Sequence, residues 1–246
     1  MVGPIEMQWE ASVSMDRAIR RVTRSLDQSE VEIYRAWFGR IRAMPGADGL
    51  FARVASATDK ETSLDHLAVA RYALVFAGLG FQVEVEPDGD AGPDLAISRD
   101  GHRVVVEVTR FRPINPGPPV VDFAEPPPIL AEYGNPPRDI RKAVSKIYEK
   151  FDQIGDDGKA MIALWNDDGD LEELEVEAAV DDLRRRPFPG GLLFAVYASE
   201  RWSPRAGQIY CFPFPPYLEP HRARWQEELE GSSVGGAIER ALAATP

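Results

Sequence analysis

A chain of 246 residues with 44% hydrophobic and 28% charged side chains has a globular rather than a disordered composition, and it is long enough to bury a full core. Its formal net charge of -12 works against non-specific nucleic-acid binding, which depends on phosphate neutralisation by Lys and Arg, so any nucleic-acid-directed function needs local basic surface. The single cysteine, Cys211, and three scattered histidines, His66, His102 and His221, leave no internal disulfide, no cysteine cluster for zinc and no multi-histidine metal site.

Residues 1–10 lack the basic start and apolar run of a signal peptide, and the longest apolar stretch, Leu67 to Phe81, is too short for a bilayer span and is interrupted by Arg71. The expectation is a soluble protein of a reducing compartment, cytoplasmic and without a membrane partner. The first helix is predicted over Ser14 to Leu26. Ile19, Val22 and Leu26 form its apolar stripe, and Arg17, Arg20, Arg21 and Arg24 form a basic one. A second runs from about Glu30 to Ala43, burying Tyr34, Trp37, Phe38 and Ile41, and ends at Pro45-Gly46. A third and longer helix begins at a Thr62 or Ser63 cap and closes at Gly78 and Gly80.

Phe81 to Glu86 alternates apolar and polar residues, the pattern of a strand with one face in the core. Asp94 to Arg99 and His102 to Phe111 are two further strands. Asp100-Gly101 between them is a two-residue turn of the kind a type I′ hairpin needs. In that pairing Leu95, Ile97, Val104, Val106 and Val108 share one apolar face. The proline-rich run from Pro113 to Pro137 excludes regular helix over most of its length, and leaves open a lid, a partner segment or a surface excursion. A helix follows over Arg138 to Ile154 with Ile140, Val144, Ile147, Tyr148 and Phe151 inward. Then come a buried strand Met161 to Trp165, an acidic run with a helix from Leu171, a strand Leu192 to Tyr197, a Pro- and aromatic-rich stretch from Trp202 to Pro220, and a last helix within His221 to Ala244. Strands interleaved with helices in this order imply an α/β fold with a mixed sheet covered on both faces.

The hairpin register can be counted from the turn. Arg99 pairs with His102, and the series places Asp94 opposite Glu107. Directly opposed residues have Cβ atoms about 4.5–5.5 Å apart, and like charges there are destabilising. Glu107 also interrupts the run Val104-Val105-Val106-Glu107-Val108, where a carboxylate is costly unless it is paired. A hard divalent cation resolves both costs. The alternatives are a solvated sheet end, or pairing with Arg103 or a helix lysine.

Pro93-Asp94, twelve intervening residues and Glu107-Val108-Thr109, set in this hairpin after a long helix and a strand, resemble the PD-(D/E)XK nuclease superfamily. The resemblance covers roughly residues 62–165. It implies a restriction-endonuclease-like α/β/α sandwich with a mixed central sheet over residues 61–200, carrying the proline-rich insertion at 112–137. An N-terminal helical region, 1–60, precedes this core, and a Pro/aromatic segment with a helical extension, 201–246, follows it. It further implies Mg²⁺ or Mn²⁺ held by Asp94 and Glu107, and phosphodiester hydrolysis assisted by the motif lysine. Thr109 stands in that lysine's place and carries no charge to stabilise a developing anion. Lys142 and Lys146 are the candidates to replace it. Arg110 is a poorer one, since it alternates to the face opposite Glu107. Family members also use an acid on the first core helix, a part that falls to Asp65, with Glu61 one turn earlier.

Nucleic acid has three basic features to meet: Arg17, Arg20, Arg21 and Arg24; Arg138, Arg141, Lys142, Lys146 and Lys150; and Arg184 to Arg186, which also balance Asp181 and Asp182. Trp202, Tyr210, Phe212, Phe214 and Tyr217 can stack on bases, meet a protein partner, or cover the edge of the core. The expected functions are a metal-dependent nuclease acting on DNA or RNA in repair or defence, or a non-catalytic nuclease-like module that binds protein or nucleic acid. An α/β protein in which the two acids are incidental is the third.

Overall fold

The computed structural model describes residues 15–20, 31–87, 92–111, 136–151, 154, 159–166, 173–199, 207–214 and 220–244. The hairpin organises one half of the sheet. Strands β2 (Leu95–Arg99) and β3 (His102–Phe111) pair antiparallel in the expected register, from Arg99 opposite His102 to Leu95 opposite Val106. Asp100 and Gly101 both have positive φ, 54° and 78°, as a type I′ turn demands. β1 (Gln82–Val85) adds antiparallel to β2. After β3, the helix α5 (Pro136–Phe151) leads to β4 (Ala160–Asn166), and α6 (Glu173–Leu183) leads to β5 (Leu192–Ser199), both strands pairing parallel. β6 (Ile209–Pro213) closes the far edge antiparallel to β5, so the six strands lie in sequence order in one mixed sheet.

Side-chain alternation divides the interior into two layers. Leu95, Ile97, Val104, Val106 and Val108 face a cluster that includes α1 (described over 15–20), α2 (Val31–Ile41), α3 (Ala47–Ser56), α4 (Lys60–Gly78) and α8 (Val234–Ala243). Ile162, Leu164, Ala195 and Tyr197 face the other cluster, with Ala143, Ile147 and Phe151 of α5 and Val176, Ala179 and Val180 of α6. β4 lies between the layers and is buried at every position. The α/β class, the mixed sheet and its two-sided cover are therefore as the residue pattern implied, and Tyr34, Trp37, Phe38 and Ile41 are all buried as expected.

Several expectations need correction. α3 was not anticipated, yet Ala47, Leu50, Phe51 and Val54 recur at helical spacing and are buried. α4 is capped by Asp59, whose side chain accepts from Thr62 N at 2.8 Å, one turn before the Thr62 or Ser63 cap. α5 starts at Pro136 because prolines are tolerated in a first helical turn. Tyr148 on α5 is half exposed rather than inward, resting against Phe151. Tyr210 and Phe212 belong to a strand, β6, where only a loop-like stretch was expected. The last helix is two, α7 (Pro220–Leu229) and α8, divided by Gly231 at φ 70° and restarted by a Ser233 cap.

α4 and α8 cross at close range. A Cβ added at Gly78 would stand 1.8 Å from the Ala237 carbonyl oxygen, so the two backbones meet there with no room for a methyl group. Gly78→Ala is expected to cost about 2 kcal/mol net, because overpacking of 1–3 kcal/mol or more outweighs the roughly 1 kcal/mol gained in helix propensity. A urea-unfolding midpoint equal to wild type would refute the close crossing.

Candidate functional site

Asp94 immediately precedes β2, and one step beyond the Leu95–Val106 pair it falls opposite Glu107. Its Oδ2 accepts from the Val108 backbone N–H at 2.9 Å, which fixes the carboxylate against β3. Glu107 is only 4% exposed and projects toward α5, where Lys150 Nζ donates to its Oε2 at 3.1 Å. The helix-lysine pairing considered for Glu107 is thus made by Lys150, while Arg103 reaches Glu84 instead, at 3.4 Å. Burial pushes the Glu107 carboxyl above the usual carboxylate range; Lys150 pulls it down, and the negative charge of Asp94 pushes it up again.

Beside Asp94 opens a cleft of about 490 Å³, lined by Asp94 and by Lys150 but not by the buried Glu107 itself. Its cations are Arg53, Arg110, Lys146 and Lys150; its acids are Asp65, Asp94 and Glu149; Thr109 and His66 also line it. In a chain of net charge -12 this is a local balance of four cations against three acids. His66 is held below its ordinary pKa, chiefly by burial and then by the charge of Arg53, with Asp65 and Asp94 acting in the other direction, so it is neutral at pH 7.

The sequence-identified residues separate here. Asp94 and Glu107 are brought together. Lys146 lines the cleft but is paired with Glu149 at 2.9 Å, and Lys142, one turn earlier, does not line it. Lys150 takes the position expected of one of those two. Asp65 lines the cleft, but its Oδ1 accepts from Arg110 Nε at 2.9 Å, and Arg110 also pairs with Glu61. Among the described residues no group of three or more His, Cys, Asp or Glu is gathered as a metal site, so the geometry offers two carboxylates rather than a triad with Asp65. Arg110 does alternate to the face away from Glu107, packing its buried guanidinium against α4.

The broader basic features do not converge on the cleft. Arg17 and Arg20 are exposed on α1, and Arg20 Nε donates to the Asp16 carbonyl; neither lines the cleft. Arg21 and Arg24 lie outside the described residues, as does the side chain of Arg138. Arg141 is exposed on α5. Arg184 pairs with Asp181 at 2.6 Å and Arg186 pairs with Asp182, the local balance anticipated for that run. Phe214 is buried against Phe188 and Phe151, so it covers the edge of the core; Trp202 and Tyr217 lie outside the described residues.

Sequence reasoning missed Arg53, Glu86 and His66. Arg53 comes from the unanticipated α3, pairs with the buried Glu86 at the end of β1, and approaches Asp94 Oδ1 at 3.8 Å. The only available signal was the apolar spacing of α3, which puts Arg53 on a flank of its buried face. No helix among the described residues is long and apolar enough to cross a membrane. Comparison with protein-family models, with curated proteins and with solved structures gives no match to this chain.

Proposed function

We propose that the cleft beside Asp94 and Glu107 is the active site of a metal-dependent nuclease that hydrolyses phosphodiester bonds in DNA or RNA. The observation that carries this reading is the placement of Asp94 opposite Glu107 on neighbouring strands, with the Lys150 ammonium 3.1 Å from Glu107. Two facing acids and one lysine are the groups the PD-(D/E)XK pattern requires, with the lysine delivered by α5 in place of Thr109. Glu107 and Asp94 are hard oxygen donors on neighbouring strands, the donor type a divalent cation takes. Glu107 is buried, its carboxyl is harder to ionise than usual, and Lys150 offsets that only in part.

Asp94 and Glu107 would hold Mg²⁺ or Mn²⁺, hard ions that commonly use one or two carboxylates and complete their shell with water and substrate phosphate. Such an ion supplies Lewis-acid polarisation of the phosphoryl group and lowers the pKa of water. Lys150 supplies a fixed positive charge where negative charge grows during hydrolysis. The Val108 N–H keeps the Asp94 carboxylate in one orientation. Arg110 and Lys146 also line the cleft, each paired with acids, Arg110 with Asp65 and Glu61 and Lys146 with Glu149.

A second reading, a nuclease-like module that binds without cutting, is favoured by two contacts. Lys150 already pairs with Glu107, as a helix lysine would in place of a metal ion. Arg53 stands 3.8 Å from Asp94 Oδ1 and supplies a protein cation where a metal ion would otherwise be the counter-charge. Incubation of the purified chain with single- and double-stranded DNA and with RNA, in Mg²⁺ or Mn²⁺ and in excess EDTA, separates the two. Cleavage is expected with metal and none with chelator. Intact substrates in every metal condition would leave only the binding module.

A further inference from the structure

We infer that Arg53 is the residue that grips a substrate phosphate in this cleft, held in place for that task by Glu86. The inference rests on the phosphodiester reading of the site and names the group that would recognise the substrate's backbone.

The chain builds an unusual support for this arginine. Glu86 directly follows β1 with φ 47°, in the left-handed region that non-glycine residues rarely adopt. Its backbone N–H donates to the Asp94 carbonyl at 2.9 Å, so the strained residue is tied to the acid of the candidate site. Its carboxylate is almost completely buried, with 4% side-chain exposure, and pairs with Arg53. Gly49 lies one turn before Arg53 on α3, and a Cβ there would stand 2.2 Å from Glu86 Oε2. A side chain at 49 would occupy the space the carboxylate uses. Strained backbone at a cleft is a feature that persists where the surroundings enforce it, and here the enforced outcome is the placement of one guanidinium.

That guanidinium is partly sealed in, with Nε and Nη2 buried and Nη1 left as its open nitrogen. The Arg53 side chain is 26% exposed and lines the cleft, whereas Glu86 beneath it is closed to solvent. Its charge is felt by three groups of the site: it lowers the pKa of His66, offsets the raised pKa of Glu107, and lies 3.8 Å from Asp94. Arg110, the other arginine of the cleft, has a side chain only 1% exposed and is committed to Asp65 and Glu61, Lys150 is committed to Glu107, and Lys146, though 38% exposed, is paired with Glu149. The cleft's acids, Asp65, Asp94 and Glu149, repel a phosphate, so its binding there needs one of the lining cations. With Nη2 turned to Glu86, the N–H groups of Nη1 are the donors left for a phosphate oxygen, a charge-assisted hydrogen bond.

The test is binding without turnover. The full chain is titrated in EDTA with a short fluorescent single-stranded oligonucleotide over a range of salt. Arg53→Gln is expected to weaken binding about tenfold, equivalent to about 1.4 kcal/mol. It should also lower the slope of log affinity against log salt by about 0.7, the share of one phosphate contact on a single strand. Arg53→Lys should keep the slope and stay within about threefold of wild type. A purely structural arginine would change neither slope nor the rank of the two variants once unfolding midpoints are matched.

Wild-type protein gives an independent reading that needs no variant to fold. Modification of Arg53 by an arginine-directed dicarbonyl, followed by mass spectrometry, should slow severalfold at saturating oligonucleotide, because a bound phosphate covers the exposed part of the side chain. Equal modification rates with and without oligonucleotide, or an unchanged salt slope in Arg53→Gln with the loss appearing instead in Arg17→Gln, would overturn the assignment. Metal-dependent cleavage by a chain whose Arg53→Gln variant binds normally would defeat this inference alone. Arg53-dependent binding by a chain that never cleaves would defeat only the hydrolytic reading.

Discussion

Glu107→Gln and Asp94→Asn are each expected to lower metal-dependent cleavage by at least about a thousandfold, a loss of about 4 kcal/mol of transition-state stabilisation. Both changes are nearly isosteric and keep the local contacts. The amide oxygen introduced at position 94 would still accept from the Val108 N–H, and the one introduced at position 107 would still accept from Lys150. What the changes remove is negative charge able to hold a hard cation. For Glu107 the loss of activity should come without loss of stability. Its carboxyl titrates above the ordinary range in the folded chain because burial disfavours the ionised form. The folded protein therefore holds this proton over a pH interval in which the unfolded chain has released it. Stability falls as pH rises through that interval, which starts at the unfolded value of about 4.3. Above it the ionised Glu107 is a burden the fold carries, and Asp94 opposite adds to that burden. Thermal unfolding at pH 8 should give Glu107→Gln a midpoint equal to or above wild type, with the difference closing at about pH 4, below the unfolded value. A lower midpoint at the alkaline pH would show that the Lys150 pair is a net stabiliser. Undiminished turnover in both variants would remove the carboxylates from the site.

The half of the site built by the hairpin was legible because its geometry is local. Period-two alternation in Val104, Val106 and Val108 fixes the buried face, and Asp100-Gly101 fixes the turn, so the register is settled by simple counting. The cationic half depends on packing between elements distant in sequence. Lys142, Lys146 and Lys150 share one face of α5, and which of them reaches Glu107 depends on how far the helix is displaced along β3. The burial of Ala143, Ile147 and Phe151 sets the helix's rotation but not that displacement. Arg53 was hidden for a related reason. α3 is ten residues long, begins directly after the Pro45-Gly46 break and reads as an appendage, and only the tertiary structure shows that it carries an arginine to Glu86 and Asp94. β6 was obscured by composition, since Pro213 and the aromatic residues around it read as a loop, although an edge strand tolerates proline at its end.

Lys150→Met is expected to reduce kcat by about a hundredfold or more with KM within about threefold of wild type, the pattern of a charge used in the transition state rather than in binding. The methionine keeps the apolar stem and removes the ammonium. It also leaves Glu107 buried without its nearest cation, so the pH dependence of any residual activity should move upward, because the carboxyl becomes harder still to ionise. A metal ion between the acids would offset that shift, which makes the residual rate depend more steeply on metal concentration than in wild type. The decisive variant is Thr109→Lys in the Lys150→Met background. Thr109 stands two residues beyond Glu107 on the same face of β3 and lines the same cleft, so a lysine there returns an ammonium to the space from the strand side. Recovery of about tenfold or more in kcat would establish that the site needs one positive charge beside Glu107 and is indifferent to which element delivers it. Lys146→Met is the control, because Lys146 shares the helix face but is paired with Glu149. Full activity in Lys150→Met, or its loss in Lys146→Met alone, would move the cationic role off Lys150 and with it the reason for reading α5 as part of the catalytic machinery.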